Sequence, residues 1–309
     1  MGGTKLAAAR VDPSGEAYSR QVVPAPADAE AALNEMVRQV ERLSRGDSES
    51  PAPPVISVGV GVAGLVRYPS TLVWGPHTPG IELDLGTALV ERLSLPVVVD
   101  NDANFAARAE ALVGAAQGYS PVLMVTMGTG IGGGIWIDGS VYRGRGFAGE
   151  IGHMKLVPNG APCACGQRGC WETVCSGRRL DELAVGLAAA EPAGTVATLS
   201  GDGRALGRHL TAAARQGDGA ALRAVEGVAR WLAVGIANLI AVLDPAVVVV
   251  GGGIVGELEI LLEPCRPAVV DLLEGAEHRT PTPIVAAKLG ADAGLIGAGL
   301  AALEAAGPG

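Results

Sequence analysis

Residues 150–172 read EIGHMKLVPNGAPCACGQRGCWE, and this stretch combines one histidine, three cysteines and two glutamates. Nine residues separate His153 from Cys163, one separates Cys163 from Cys165, and four separate Cys165 from Cys170. An imidazole and three thiolates are the donor set of a closed tetrahedral zinc site. Glycine and proline between the donors permit the tight turns that bring the sulfurs together. The sequence therefore predicts a structural zinc knot at these four side chains.

Two other interpretations fit the same residues. They are three unrelated buried cysteines with a core histidine, and a set of disulfides. The chain has five cysteines, an odd number, and nothing in it points to secretion, which favours a reduced protein that binds metal. Cys175 and Cys265 are expected to be ordinary, partly buried thiols.

A glutamate stands at each end of the predicted knot. Glu150 precedes His153 by three residues, and Glu172 follows Cys170 by two. A metal knot would fix both carboxylates in space, and paired acceptors of this kind suit a ligand with many hydroxyl groups. The stretch therefore indicates a sugar site, and the alternative is two exposed glutamates at helix ends.

Length and charge narrow the class of protein. A chain of 309 residues with 49% hydrophobic residues has room for about two domains. The net charge of −9 favours neither nucleic acid nor an anionic membrane as a partner. The longest apolar run, 231–243, is too short to span a bilayer, and no signal peptide precedes the motifs. We therefore expect a cytoplasmic protein without a nucleic-acid or membrane partner.

Alternating strand and helix patterns predict an α/β architecture. A buried strand at 97–99 is followed by Asp100, Asn101, Asp102 and a helix at 103–115. Ligands of open α/β sheets gather beyond the carboxyl ends of strands, so Asn101 and Asp102 lie where a site is expected. The alternative is that the two residues only cap the helix, a role that both residue types perform well.

Glycine-rich turns follow two other predicted strands. After the strand 122–127, residues 128–134 read GTGIGGG, and residues 128–133 match G-x-G-x-x-G. A dinucleotide fingerprint must open a helix, whereas residues 135–137 resume a strand, so we interpret the turn as a cradle for phosphate. Residues 2–5 form a similar turn, which hints at a duplicated architecture. Residues 251–253, after the strand 246–250, leave bare backbone for a nucleobase or a phosphate.

These motifs together resemble the ROK sugar kinases, and within them the bacterial glucokinases, over essentially the whole chain. The matching segments are GGTK at 2–5, VDNDANFAARAE at 99–110, MGTGIGGG at 127–134, EIGH at 150–153, CACGQRGCWETVCSGR at 163–178 and VVVVGGG at 247–253. The resemblance implies the duplicated actin-like/hexokinase (ribonuclease H-like) fold, with two α/β domains around a cleft. We expect a small N-terminal domain at 1–115 plus 291–309, and a large domain with the zinc loop at 116–290.

The resemblance also implies a role for each matching residue. Asp102 is the expected base for the sugar 6-hydroxyl. The expected sugar-binding residues are Gly64, Asn101, Asp102, Glu150, His153 and Glu172. The expected phosphate- and adenosine-binding residues are Gly2, Gly3, Thr4, Lys5, Thr129, Gly130, Gly252 and Gly253. The expected structural zinc ligands are His153, Cys163, Cys165 and Cys170. ATP with Mg²⁺ is the expected phosphoryl donor, because relatives that use polyphosphate generally lack the zinc cluster.

The chain departs from the family pattern in two places. Family members begin with an apolar strand that ends in an Asp near Mg²⁺, then one residue and GGTK, but Met1 stands in that intervening place. We expect Met1 to be internal to a longer natural chain. If the 309-residue form is the natural one, we expect it to fold poorly and to have weak or absent kinase activity. His77 and Ile81 stand where the family often has Asn and Trp.

The second departure leaves the sugar preference open. The expected activity is ATP-dependent phosphorylation of glucose. The alternatives are a ROK kinase for N-acetylglucosamine, N-acetylmannosamine or fructose, and a non-catalytic ROK sugar sensor. The absent DNA-binding leader and the intact Asn101-Asp102 pair argue against the sensor. The family implies a homodimer or a homotetramer.

Overall fold

Strands and helices alternate along the part of the chain that the structure describes. The structure is a computed structural model and describes residues 5–26, 28–45, 53–75 and 82–307. The strands are β1 (Lys5–Val11), β2 (Ala17–Pro24), β3 (Val58–Val62), β4 (Leu65–Arg67), β5 (Thr71–Trp74), β6 (Leu83–Asp84), β7 (Val97–Asn101), β8 (Val122–Met127), β9 (Ile131–Ile137), β10 (Ser140–Val141), β11 (Val247–Gly251) and β12 (Ile284–Ala286). The helices are α1 (Ala29–Arg45), α2 (Leu85–Leu93), α3 (Asp102–Val113), α4 (Gly177–Ala190), α5 (Thr195–Ser200), α6 (Gly207–Arg215), α7 (Gly219–Leu243), α8 (Leu258–Leu272) and α9 (Ala293–Ala306).

Internal contacts divide the chain into two units. Unit 1 comprises Met1–Gln117, Gly134–Gly149 and Asp292–Gly309, and unit 2 comprises Gly118–Gly133 and Glu150–Ala291. Residues 134–149 therefore group with unit 1, whereas the sequence analysis assigned them to the second domain. The domain limits predicted at 115/116 and 290/291 therefore stay a prediction.

Parallel pairing in unit 1 places two loops side by side. β3 and β7 pair in parallel from Val58↔Val97 to Val62↔Asn101. The residues that follow the two strands therefore leave the sheet at the same edge, and they include Gly64 and Asp102. Unit 1 also contains the antiparallel pair β1-β2 and the antiparallel sheet β4-β5-β6.

Helix α9 packs closely on this part of unit 1 because glycines line the contact. A Cβ on Gly297 would overlap the carbonyl oxygen of Phe105 in α3, and a Cβ on Gly59 would overlap that of Ala298. Phe105 is buried in a cluster with Val98, Ala298 and Ala301. The start of α3 is therefore held between β7 and α9.

A five-stranded sheet with the order β10-β9-β8-β11-β12 contains the core strands of unit 2. β11 pairs in parallel with β8, from Val247↔Val122 to Gly251↔Thr126, and with β12. The four valines of β11 are fully buried, as expected for a parallel strand covered on both faces. The carboxyl ends of β8 and β11 are neighbours, so the glycine turns that follow them are neighbours as well.

Helix α7 is the core helix of unit 2. It spans 25 residues and is the one helix among the described residues that is long and apolar enough to cross a membrane. The helix is longer than the apolar run 231–243, which by itself is too short to span a bilayer. Much of the helix, including Leu232, Ile236 and Ile240, is buried inside the protein, which is the pattern of a core helix.

Trp171 anchors the predicted knot to α7. Its side chain is fully buried, and its Nε1 donates to the carbonyl oxygen of Trp231 at 2.8 Å. The indole lies against Gly235, where a Cβ would overlap the ring. Trp171 therefore needs both a carbonyl acceptor and a residue without a side chain on the facing helix.

Several predicted elements differ from the structure. Helix α5 (Thr195–Ser200) was not predicted. The three short strands β4, β5 and β6 were not predicted. Cys175 and Cys265 are fully buried instead of partly buried, and burial raises the pKa of the Cys265 thiol to about 12. The rejected dinucleotide interpretation stays rejected, because β9 and not a helix follows Gly130.

The Trp171 contact predicts opposite effects for two glycine substitutions in α7. Gly235→Ala should lower the free energy of unfolding by about 1–3 kcal/mol, because the new methyl group overpacks against a rigid, buried ring. Gly227 is the matched control, since a Cβ there meets nothing within 4 Å. Gly227→Ala should raise the free energy of unfolding by about 0.5–1 kcal/mol through helix propensity. Chemical denaturation measures both, and equal effects of the two variants would contradict the contact.

Candidate functional site

Four donor side chains of unit 2 converge. The ligand atoms of His153, Cys163, Cys165 and Cys170 all lie within 4.8 Å of one another, and no other such group occurs in the described ranges. The Sγ atoms of Cys165 and Cys170 are 3.6 Å apart, and Cys163 Sγ is 3.7 Å from His153 Nδ1. Zinc–sulfur bonds of about 2.3 Å in a tetrahedron separate two sulfurs by about 3.8 Å. The four donors therefore fit a zinc ion.

Backbone hydrogen bonds and glycines close the loop around these donors. Cys163 N donates to Gln167 O at 2.8 Å, and Gly166 N donates back to Cys163 O at 3.0 Å. Gly166 and Gly169 have φ values of +83° and +70°, which favour glycine. A Cβ on Gly169 would overlap the Val157 carbonyl oxygen. The loop therefore folds around the donors by its own backbone chemistry.

Two charged side chains contact the sulfurs. Lys155 Nζ donates to Cys170 Sγ at 2.8 Å, and this hydrogen bond raises the pKa of Lys155. Cys163 donates its thiol proton to Glu172 Oε1 at 2.8 Å. Burial, together with this hydrogen bond, raises the pKa of Cys163 far above its ordinary value. The ammonium group of Lys155 offsets negative charge that thiolates would bring to the knot.

The two glutamates lie on either side of His153. Glu172 Oε1 is 3.9 Å from Nδ1, and Glu150 Oε2 is 3.9 Å from Nε2. Because Nδ1 faces the sulfurs, it is the ring atom suited to a metal, and Nε2 remains available on the side of Glu150. Glu150 makes no side-chain cap for the short helical turn Ile151–His153, so helix capping does not explain its position.

Glu172 also contacts the first glycine turn. A Cβ on Gly130 would overlap its Oε2 atom, and only 12% of the Glu172 side chain is exposed. The turn itself is closed by Gly128 N donating to Gly130 O at 3.0 Å, and Thr129 at its tip is exposed. One carboxylate therefore joins the knot to the predicted phosphate turn.

The second glycine turn adjoins the first. Gly252 has a φ of +103°, and a Cβ there would overlap the backbone of Met127. A Cβ on Gly253 would lie 4.0 Å from the Gly128 Cα. The structure therefore brings Gly252 and Gly253 together with the turn that contains Thr129 and Gly130.

Asn101 in unit 1 both caps α3 and reaches the neighbouring loop. Its Oδ1 accepts from Ala103 N at 2.8 Å and from Asn104 N at 3.3 Å, so the capping interpretation is correct for this residue. Its Nδ2 donates to Gly64 O at 3.1 Å. The amide therefore fixes the Gly64 loop against the first turn of α3.

Asp102 is the first residue of α3 and is exposed. The protein atoms packed around its carboxyl partly desolvate it and raise its pKa above the ordinary value, which is the direction expected for a proton acceptor that works near neutral pH. Its exposure to solvent limits how far this crowding can raise the pKa.

Two charged side chains near these residues, Lys155 and Asp100, were not predicted from the sequence. Lys155 could have been recognised from the sequence, because it lies between the donors His153 and Cys163. Asp100 could also have been recognised, because it lies at the end of a buried strand, where a carboxylate needs a cation. The sequence did not reveal that its partner is Arg143, which contacts it from 43 positions away.

Some predicted residues cannot be placed at a site. Gly2, Gly3 and Thr4 lie outside the described residues, as do His77 and Ile81. Lys5, the remaining residue of the predicted turn at 2–5, is the first residue of β1, and its side chain is exposed.

Comparison with known proteins identifies the family. The ROK family profile matches residues 1–305, and the chain belongs to this family. It is 39% identical over 304 residues to a glucokinase of Streptomyces coelicolor, which covers 96% of this chain and 94% of that protein.

Solved structures agree with this assignment. A ROK family glucokinase from Streptomyces griseus, in complex with glucose and AMPPNP, matches with a TM-score of 0.89 and 40% identity over 98% of this chain and 97% of that one. The ROK hexokinase from Thermus thermophilus matches with a TM-score of 0.76 and 34% identity over 98% and 96% of the two chains. The predicted actin-like/hexokinase fold is confirmed.

The knot predicts a defined metal content. Purified protein should contain about one zinc ion per chain, and Cys165→Ser should lose most of it, because a serine hydroxyl stays protonated where a thiolate binds. Cys265→Ala is the matched control, since Cys265 is a buried cysteine outside the knot. Elemental analysis of the folded variants measures the difference. Equal zinc content in wild type and Cys165→Ser would contradict the site.

Proposed function

We propose that this protein transfers the γ-phosphoryl group of ATP to the 6-hydroxyl of glucose. The observation that carries the proposal is the likeness, at 40% identity over 98% of the chain, to a ROK glucokinase solved with glucose and AMPPNP. The clustered acidic side chains, the glycine turns and the exposed Asp102 are the groups that such a reaction needs.

We assign sugar recognition to the residues that match the family pattern. Glu150 and Glu172 accept hydrogen bonds from sugar hydroxyls, and His153 Nε2 adds a donor between them. In unit 1, Asn101 and the backbone at Gly64 contact further hydroxyls. The short distances among Glu150, His153 and Glu172 support this assignment, since hydroxyls on adjacent sugar carbons need partners at similar spacing.

Asp102 acts as the general base. It accepts the proton of the 6-hydroxyl as that oxygen attacks the γ-phosphorus, while the bond from phosphorus to the bridging oxygen of ADP breaks. Phosphoryl transfer depends mainly on positioning and on charge stabilisation, and a positioned base adds about 10²–10⁴-fold. The exposure of Asp102 and the direction of its pKa shift support this role.

The nucleotide binds at the glycine turns. Backbone N–H groups and the hydroxyl of Thr129 hold the phosphates near Gly130, and Gly252 and Gly253 admit the adenosine against bare backbone. Bare N–H groups at such turns form concave anion sites. Residues 2–5 contribute by resemblance alone. Mg²⁺ is proposed with the nucleotide, because it binds mostly through substrate phosphates.

Zinc has a structural role in this proposal. Bound by His153 and the three cysteines, it would supply folding energy and a fixed charge, and it takes no part in the reaction. The protein is proposed to work in the cytoplasm, in hexose metabolism, as a homodimer or homotetramer.

A sugar panel tests the proposed function. ADP release should be measured for glucose, N-acetylglucosamine, N-acetylmannosamine and fructose, with ATP and with polyphosphate as donors. Glucose with ATP should give the highest kcat/KM. A higher kcat/KM with another hexose would overturn the substrate assignment, and ADP release with none of them would overturn the proposed activity.

Replacing the base should separate binding from turnover. Asp102→Asn should lower kcat by about 10²–10⁴-fold, since the amide accepts no proton. Glucose affinity measured by calorimetry should stay within a few-fold of wild type, because the amide has nearly the same shape. Asp202→Asn, at an exposed loop position, is the control and should leave both quantities unchanged. Turnover of Asp102→Asn near the wild-type rate would refute the role of Asp102.

A further inference from the structure

We propose that Arg143 and Asp100 form a positioning pair that holds Asn101 and Asp102 in the geometry needed for phosphoryl transfer. This inference rests on the proposed function and concerns side chains of unit 1 alone.

The pair is a buried, two-point ion pair. Arg143 Nε and Nη2 donate to the same oxygen, Asp100 Oδ2, at 2.9 and 2.7 Å. The Asp100 side chain is 1% exposed and that of Arg143 is 23% exposed. A buried ion pair often adds little net stability compared with apolar residues of similar size. Net stability therefore does not explain why this ion pair lies beside the proposed base, and a role in positioning does.

The other oxygen of Asp100 holds the junction between β7 and α3. Oδ1 accepts from the Asn101 backbone N–H at 2.7 Å and from Asn104 Nδ2 at 3.0 Å. Asn104 lies one turn into α3, and its own Oδ1 is buried without a hydrogen-bond partner. The Asn104 side chain is oriented so that its Nδ2 donates to Asp100, and this orientation leaves its Oδ1 without a partner. One carboxylate thus fixes the backbone before Asp102 and the helix turn after it.

Arg143 is itself held from two further sides. Its guanidinium lies 3.8 Å from the centroid of the Tyr68 ring, and its Nη1 donates to Val141 O at 3.2 Å. A planar guanidinium can stack on a ring and donate from several nitrogens at the same time, which an ammonium group cannot do. Three separate stretches of the chain therefore meet at this side chain.

The consequence is a short path from Arg143 to the reacting groups. Arg143 orients Asp100, and Asp100 holds the Asn101 backbone. Asn101 caps α3 and binds the Gly64 loop, and Asp102 follows directly. Misplacement of a catalytic group by about 1 Å can lower the rate by 10²-fold. Arg143 and Asp100 are thus positioning residues, since the proposed chemistry lies with Asp102.

The conservative variant Arg143→Lys tests the pair. It keeps the positive charge and loses the planar fork. We expect kcat to fall by about 10–100-fold and the KM for glucose to rise several-fold, because Asn101 and Gly64 shift with the junction. The KM for ATP should stay unchanged, because the glycine turns belong to unit 2. Arg266→Lys is the matched control, since Arg266 pairs with Glu259 on α8 of unit 2, and it should leave all three constants unchanged.

A merely structural role gives a different result. Partial unfolding lowers kcat in proportion to the folded fraction and leaves the KM for glucose unchanged, and that outcome would overturn the positioning role. Unchanged kcat and glucose KM in folded Arg143→Lys would overturn it as well. Should this variant fail to fold, the double variant Asp100→Asn/Arg143→Gln removes both buried charges, and the same changes in kcat and glucose KM are expected from it.

The proposed function fails separately. A wild-type protein that phosphorylates no hexose would refute the function itself. An active wild type with normal constants in the Arg143 variants would refute the positioning pair alone.

Discussion

The convergence of one imidazole and three thiols within 4.8 Å is the constraint that fixes the loop 150–172 and its two glutamates. Trp171 follows the last of these cysteines and is locked onto α7, so the knot is tied to the core of the unit. Glu172 comes next, and its carboxylate reaches the knot and the phosphate turn at Gly130. A loop with little secondary structure thus acquires a fixed position, and so do the carboxylates at its ends.

Unit 1 also holds its proposed reacting groups in fixed positions, but it does so with hydrogen bonds instead of a metal site. Its reacting groups stand at the start of a helix, where a cap, a loop contact and a buried carboxylate define the backbone. In both units a cation offsets negative charge next to the proposed sugar-binding groups, Lys155 at the knot and Arg143 at Asp100. Glycines also allow close backbone contacts in both units. They let α9 pack on α3 in unit 1, and they let the two glycine turns of unit 2 lie side by side.

The sequence was most informative where one local pattern determines the structure. The buried strands Val97–Asn101 and Val122–Met127 and the helix Asp102–Val113 agree with their predictions to within a few residues, because apolar runs and helical periodicity act over a few residues. The knot was predictable for the same reason, since its four donors fall within 18 positions (153 to 170).

What the sequence could not reveal depends on distant partners or on very short elements. β4, β5 and β6 have only two to four residues each, too few to show alternation. The ion pair between Asp100 and Arg143 joins residues 43 positions apart. The exposed or buried state of Asn101 and Asp102 likewise depends on how strands and helices pack, so capping and ligand binding could not be separated beforehand.

The most direct measurement is glucose titration by calorimetry of the same protein before and after removal of zinc with a chelator, with circular dichroism to show that the stripped protein remains folded. If the knot fixes Glu150 and Glu172, glucose should bind to the zinc-loaded protein and bind at least ten-fold more weakly, by about 1.4 kcal/mol, after stripping and before zinc is restored. Equal glucose affinity with and without zinc would contradict the account.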